Sequence, residues 1–181
     1  MELPLADADR HRLASAIGEV SGPWTEKPFH PHVTLALVRE SCSEVRLRSA
    51  LEKAFAGGDA IPSSLRLSGV GLFPSRKRPV LFAAVATSSA LGRLHQTVLR
   101  ELSLEGIHPI PNYAEGSWTP HVTLSMGKRM DDCLAWMEAL CGTPLFGDYQ
   151  VDRAELIRFY PKEIASVWAS DPRTGIPLDE D

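Results

Sequence analysis

One pentapeptide occurs twice in this chain, as Pro31-His32-Val33-Thr34-Leu35 and Pro120-His121-Val122-Thr123-Leu124, with the two histidines 89 residues apart (121 − 32). Each copy alternates in the period of a β-strand, so His and Thr share one face, about 6–7 Å apart at their Cα atoms. Val33, Leu35, Val122 and Leu124 then face a core. A fold that accommodates this sequence must offer two equivalent strand positions whose outward faces each carry an imidazole and a hydroxyl.

The flanking pattern repeats as well. Leu13, Ala16, Ile17 and Val20 lie at helical spacing behind Asp7, which predicts a first helix over 8–20, and a strand follows over 29–38. Leu47, Leu51, Ala54 and Phe55 mark a second helix stopped by Gly57-Gly58, and Leu65 and Leu67 open a strand running towards Phe73. The segment 80–86 is apolar on both faces, as in a central strand. A third helix then carries Leu91, Leu94, Val98, Leu99 and Leu102, a Pro- and Gly-containing loop over 106–117 delivers the second motif, and a fourth helix spans 131–141. Strands near 149–159 and 164–169 close the ordered part.

Each half thus reads helix, motif strand, helix, strand, and internal duplication is the economical explanation. If a pseudo-twofold axis relates the halves, the two His-Thr pairs face each other across one cleft. The strand over 80–86 should have a mate before the first helix, where the sequence offers Met1 to Leu5; either a truncated stub or a start further upstream is expected. The expected organisation is a single bilobal domain over 1–173, with lobes of roughly 1–75 and 76–173 that are able to exchange strands, and a polar tail over 174–181.

Composition narrows the function classes. A formal charge of −4 does not suit a protein that coats nucleic acid non-specifically, so any such contact should be local. Cys42, Cys133 and Cys141 form no CxxC pair, which indicates neither a disulfide framework nor a cysteine-rich zinc site. The first residues lack the basic and apolar regions of a signal peptide, and no apolar run approaches membrane-spanning length, so a cytoplasmic protein without membrane contact is expected.

Two imidazoles and two hydroxyls suit in-line displacement at a phosphodiester. One neutral imidazole takes a proton from attacking water while the other, protonated, donates to the leaving alkoxide; an ordinary histidine pKa near 6.5 allows both states. Thr34 and Thr123 donate to the non-bridging oxygens. The scheme requires no metal, and a strained five-membered cyclic phosphate leaves positioning and proton transfer as the main tasks.

Together with these motifs, the segment Leu67-Ser68-Gly69-Val70-Gly71-Leu72-Phe73-Pro74 resembles the inter-lobe strand and turn of the 2H phosphoesterase superfamily. That superfamily includes enzymes called 2′-5′ RNA ligases and RNA 2′,3′-cyclic phosphodiesterases, and the resemblance covers nearly the whole chain. It implies an α+β fold, bilobal and pseudo-twofold, of two antiparallel sheets flanked by helices. It also implies metal-independent catalysis without a cofactor, and substrates carrying 2′,3′-cyclic phosphates on RNA ends or nucleotides, or 2′-5′ linkages. RNA-acting members often carry arginine five positions after the second motif histidine; Met126 stands there, which makes Lys128, Arg129 or Arg76 the candidates for that charge.

Catalysis is therefore expected from His32 and His121, with phosphate held by Thr34 and Thr123. Tyr113, Trp118 and Phe29 flank the motifs as candidate stacking partners for a base, with core packing or loop anchoring as the alternative for each. His11 and His95 fall on predicted helices as surface residues, and His108 on a loop. No protein partner is required, and a monomer is expected. Two competing functions remain: a nucleotide- or RNA-binding module that has lost turnover, and a metal hydrolase using His30 and His32.

Overall fold

The structure, a computed structural model, describes residues 1–21, 30–39, 41–56, 61–74, 79–126, 128–159 and 162–169. Phe29, the cluster Arg76-Lys77-Arg78, the Gly57-Gly58 helix stop and the tail 174–181 lie outside the described residues. The chain runs β1 (Glu2–Pro4), α1 (Asp7–Ser21), β2 (His32–Thr34), α2 (Glu44–Ala56), β3 (Ser64–Phe73), β4 (Val80–Val85) and α3 (Ser89–Leu104). After a 3-10 turn at Pro111–Tyr113 come β5 (His121–Met126), α4 (Met130–Leu140), β6 (Gly147–Gln150), β7 (Arg153–Phe159) and β8 (Lys162–Ala169).

The strands form one antiparallel sheet in the order β6-β3-β4-β5-β2-β1-β7-β8. The α+β, antiparallel architecture is as expected, but the two sheets are halves of one, joined where β2 meets β5 at Val33 and Val122. Outward from that seam, one half reads β5-β4-β3-β6 and the other β2-β1-β7-β8, so β4 and β1 are equivalent. The mate of the central strand is thus the three-residue β1. The strand expected over 149–159 divides at Val151-Asp152 into β6 and β7, which serve opposite halves. Backbone donation from Ala6 to the Gln150 carbonyl, 2.8 Å, ties the end of β6 to the turn after β1.

Burial of one sheet face follows from the alternation in each strand. Leu3, Val33, Val122 and Ala83 stand side by side across β1, β2, β5 and β4, and all are fully buried. Against them pack Leu13 and Ile17 of α1, Leu51 of α2, and Leu91, Leu94, Val98 and Leu102 of α3. β4 is buried on both sides of its pleat at Leu81, Phe82 and Ala83, as an interior strand should be.

Two of the register shifts in the sheet decide which residues join His121 on the opposite face. In β3 the register with β4 shifts between Leu67 and Gly69, so Leu65 and Leu67, then Val70 and Leu72, keep to the core side. Gly69, Gly71 and Phe73 consequently share the face of His121. In β5 the register with β4 shifts between Leu81 and Phe82, which aligns Met126 with Val80 and turns it to the side of Thr123.

Candidate active site

His32, Thr34, His121 and Thr123 occupy one face because Val33 and Val122, the residues between them, are paired and buried beneath. In an antiparallel pair with that register, His32 lies across from Thr123 and Thr34 across from His121, at neighbouring-strand distances of about 5 Å. The two His-Thr pairs therefore meet as nearest neighbours. Their seam is the local twofold of the repeat.

Each imidazole is held in the same way. His32 Nδ1 donates to the His30 carbonyl at 2.6 Å, and His121 Nδ1 donates to the Thr119 carbonyl at 2.7 Å. Donation from Nδ1 to the carbonyl two residues earlier fixes ring orientation and leaves Nε2 as the nitrogen not bonded to that carbonyl in both rings. The residue before each histidine is proline, which keeps the carbonyl-bearing residue extended and the bond geometry equal in the two copies.

The surroundings of the two rings differ. His121 is edge-on to Phe73, with centroids 4.7 Å apart, and to Phe82 at 5.3 Å; these two rings stack on each other at 4.2 Å. Phe82 lies flat over Gly71, where an added Cβ would come within 2.6 Å of the ring, so glycine is what lets the aromatic wall stand there. Burial pushes the His121 pKa below its ordinary value, the Thr119 carbonyl opposes this, and charge on His32 lowers it further. His32 instead has Glu2 beside it, with Oε1 3.1 Å from Nε2 and the carboxylate 4% exposed.

Burial pushes the Tyr113 phenol pKa up, the neighbouring Thr34 side chain opposes this, and the nearby Glu2 charge adds to the rise. This places Tyr113 beside the threonine of the first motif. Trp118 donates from its indole nitrogen to the Thr34 carbonyl at 3.0 Å and stacks on His95 at 3.9 Å, an anchor for the motif strand. His95 is a correction to the sequence expectation: it is buried, 5% exposed, beneath the loop that carries Tyr113, whose carbonyl it contacts at 3.3 Å. His11 and His108 are exposed, as expected.

Lys128 lies over the Trp136 ring at 4.1 Å, and the exposed Arg129 pairs with Asp131 at 3.6 Å, so both cations are held by α4 and its N-terminus. Met126, on the site face, is 62% exposed. His30 is exposed with its ring against Arg10; no group of three or more His, Cys, Asp or Glu is placed to hold a metal among the described residues. A cavity of about 780 Å³ beneath α2, lined by Leu37, Leu47, Leu51, Leu102, Leu156 and Arg158, contains none of the motif residues.

Sequence reasoning missed Glu2, Phe73 and Phe82 as site neighbours. The signal for them was the repeat itself, which makes β1 and β4 the strands flanking the motifs.

His95 and His121 both titrate below the ordinary histidine value because burial disfavours their charged forms. As pH falls through about 6.5 the unfolded chain takes up these protons first, so stability falls with pH from there downward. Urea midpoints at pH 7.5 and 5.5 should show the decline, and His95→Gln should make it smaller. An equal decline in that variant would refute the assignment to His95.

An α+β antiparallel sheet with two His-x-Thr strands paired at its centre defines the phosphoesterase class with two motif histidines. The 2′-5′ RNA ligase superfamily model matches residues 30–163, and the chain belongs to that superfamily. No curated protein matches the chain. No helix among the described residues is long and apolar enough to cross a membrane.

Proposed function

We propose that the chain hydrolyses a cyclic phosphodiester, the 2′,3′-cyclic phosphate of a nucleotide or RNA end, by acid-base catalysis between His32 and His121. The observation that carries this reading is the identical holding of the two rings: each Nδ1 is committed to a backbone carbonyl, so that both Nε2 atoms are the working nitrogens of adjacent strands. One Nε2 removes a proton from water as its oxygen bonds to phosphorus. The bond from phosphorus to a ribose oxygen breaks, and the other Nε2–H protonates that oxygen. Thr34 and Thr123 stand between the rings, where their hydroxyls can donate to the non-bridging oxygens as negative charge grows. Phe73, Phe82 and Met126 supply an apolar border on the His121 side, suited to a sugar or base face.

The test is a phosphodiesterase assay in chelator with 2′,3′-cyclic nucleotides, RNA ending in 2′,3′-cyclic phosphate, and 2′-5′ dinucleotides. Turnover of at least one, unaffected by chelator, is the expected result. Affinity for nucleotides without turnover of any would convert the site to a binding module, and chelator-sensitive turnover would favour the His30-His32 metal alternative.

A further inference from the structure

Two copies of one motif have no intrinsic reason to divide acid from base. The neighbouring strands do, because they break the symmetry at one position. In β1, Glu2 lies across from Thr34 and Pro4 across from His32. In β4, Phe82 lies across from Thr123 and Ala84 across from His121. Glu2 and Phe82 are therefore equivalent, a carboxylate in one half and an aromatic ring in the other. One strand further out the contrast continues, since Glu2 aligns with Glu155 and Phe82 with Gly71.

Glu2 is 3% exposed, and burial of a carboxylate is costly unless a positive charge lies near it. Its carboxylate neighbours are already matched: Glu155 accepts from Arg153 Nε at 2.7 Å, and Glu163 pairs with Arg158. Glu2, Glu155, Glu163 and His30 line one small cavity of about 180 Å³ beside His32, with Arg10 against the His30 ring. Tyr113 approaches from the 3-10 turn and His121 from β5, and the buried Met1 ammonium, which donates to the Ala36 carbonyl at 2.8 Å, also lies within the reach of the Glu2 charge, though burial pushes its pKa down to about 6. Within this group, Glu2 Oε1 lies 3.1 Å from His32 Nε2 yet accepts no hydrogen bond from the described residues. The contact has the distance of an ion pair.

We propose that Glu2 assigns the roles of the two histidines, holding His32 as the imidazolium that protonates the leaving ribose oxygen and leaving His121 as the neutral base. The inference rests on the hydrolytic function proposed above. Glu2 is a positioning residue that acts through His32 and does not touch the phosphate. The aromatic border around His121 complements it, because a desolvated ring beside Phe73 and Phe82 stays neutral and keeps its Nε2 lone pair.

The test combines ring-nitrogen NMR titration with kinetics for the wild type, Glu2→Gln and Glu2→Asp. In Glu2→Gln the limb of the kcat profile that requires a protonated acid should move to lower pH, and the His32 resonances should follow it. The His121 midpoint should rise slightly, since a neutral His32 no longer opposes its protonation. Glu2→Asp keeps the charge and should stay near wild type. Near pH 7, kcat of Glu2→Gln on a 2′,3′-cyclic nucleotide should drop by about 10- to 100-fold as the general acid is lost. An aryl phosphodiester, whose phenolate departs without a proton, should be turned over at close to the wild-type rate. His32 titrating alike with and without Glu2 in an active enzyme overturns this inference and leaves the hydrolytic function intact. Hydrolysis of neither substrate by the wild type overturns that function and this inference with it.

Discussion

Replacing either His32 or His121 with alanine is expected to lower kcat for a 2′,3′-cyclic nucleotide by about 10³-fold, within the range observed for loss of a positioned acid or base. Each ring is half-buried on the outward face of the sheet, and its removal leaves the paired valines beneath untouched. The far-ultraviolet spectrum should therefore stay close to wild type in both variants, and the urea midpoint in His121→Ala, whereas His32→Ala leaves the buried Glu2 carboxylate without its imidazole neighbour and should unfold at lower urea. The two variants should also differ in kinetics. With the roles proposed above, loss of His32 should be partly masked by a substrate with a good leaving group, whereas loss of His121 should not. Retention of full activity by both alanine variants would remove the mechanism altogether.

The second large effect belongs to the seam. Val122→Asp places a carboxylate at a fully buried position where β5 meets β2, with Val33 opposite and Ala83 on the far side. Nothing cationic is brought to that position by either strand, and an unpaired buried charge costs several kcal/mol, comparable with the whole stability of a domain of this size. The expected outcome is loss of the cooperative urea transition. Val122→Ala is the control, costing about 2 kcal/mol for its smaller buried surface and leaving a cooperative, active protein. A Val122→Asp variant with the wild-type midpoint would show that the two half-sheets are not joined through this pair.

Much of this arrangement was legible in the amino-acid sequence. The repeated Pro-His-Val-Thr-Leu set the strand positions, the faces of their side chains and the helix between each motif and the next strand. Four helices and the central strand appear close to their expected places, because each has a long apolar period and clear ends. The errors have local causes. The strand expected over 29–38 contracts to β2, because the sheet uses three residues at the seam and the chain turns away after Thr34. His95 looked solvent-facing on a helix, but the loop that returns to the second motif lays Trp118 and the Tyr113 carbonyl over it.

Strand period and the duplicated motif by themselves determined that two imidazole-hydroxyl pairs would stand on outward faces in equivalent settings. Tertiary structure decided their neighbours. Glu2 and Phe82 are 80 positions apart (82 − 2) and carry no motif, so their equivalence exists solely in the cross-strand registers of β1 with β2 and of β4 with β5. A periodic pattern encodes the face on which a side chain stands, since that is a property of one strand; which group lies beside it is a property of two, and hydrogen-bonded pairing between distant segments is what sets it.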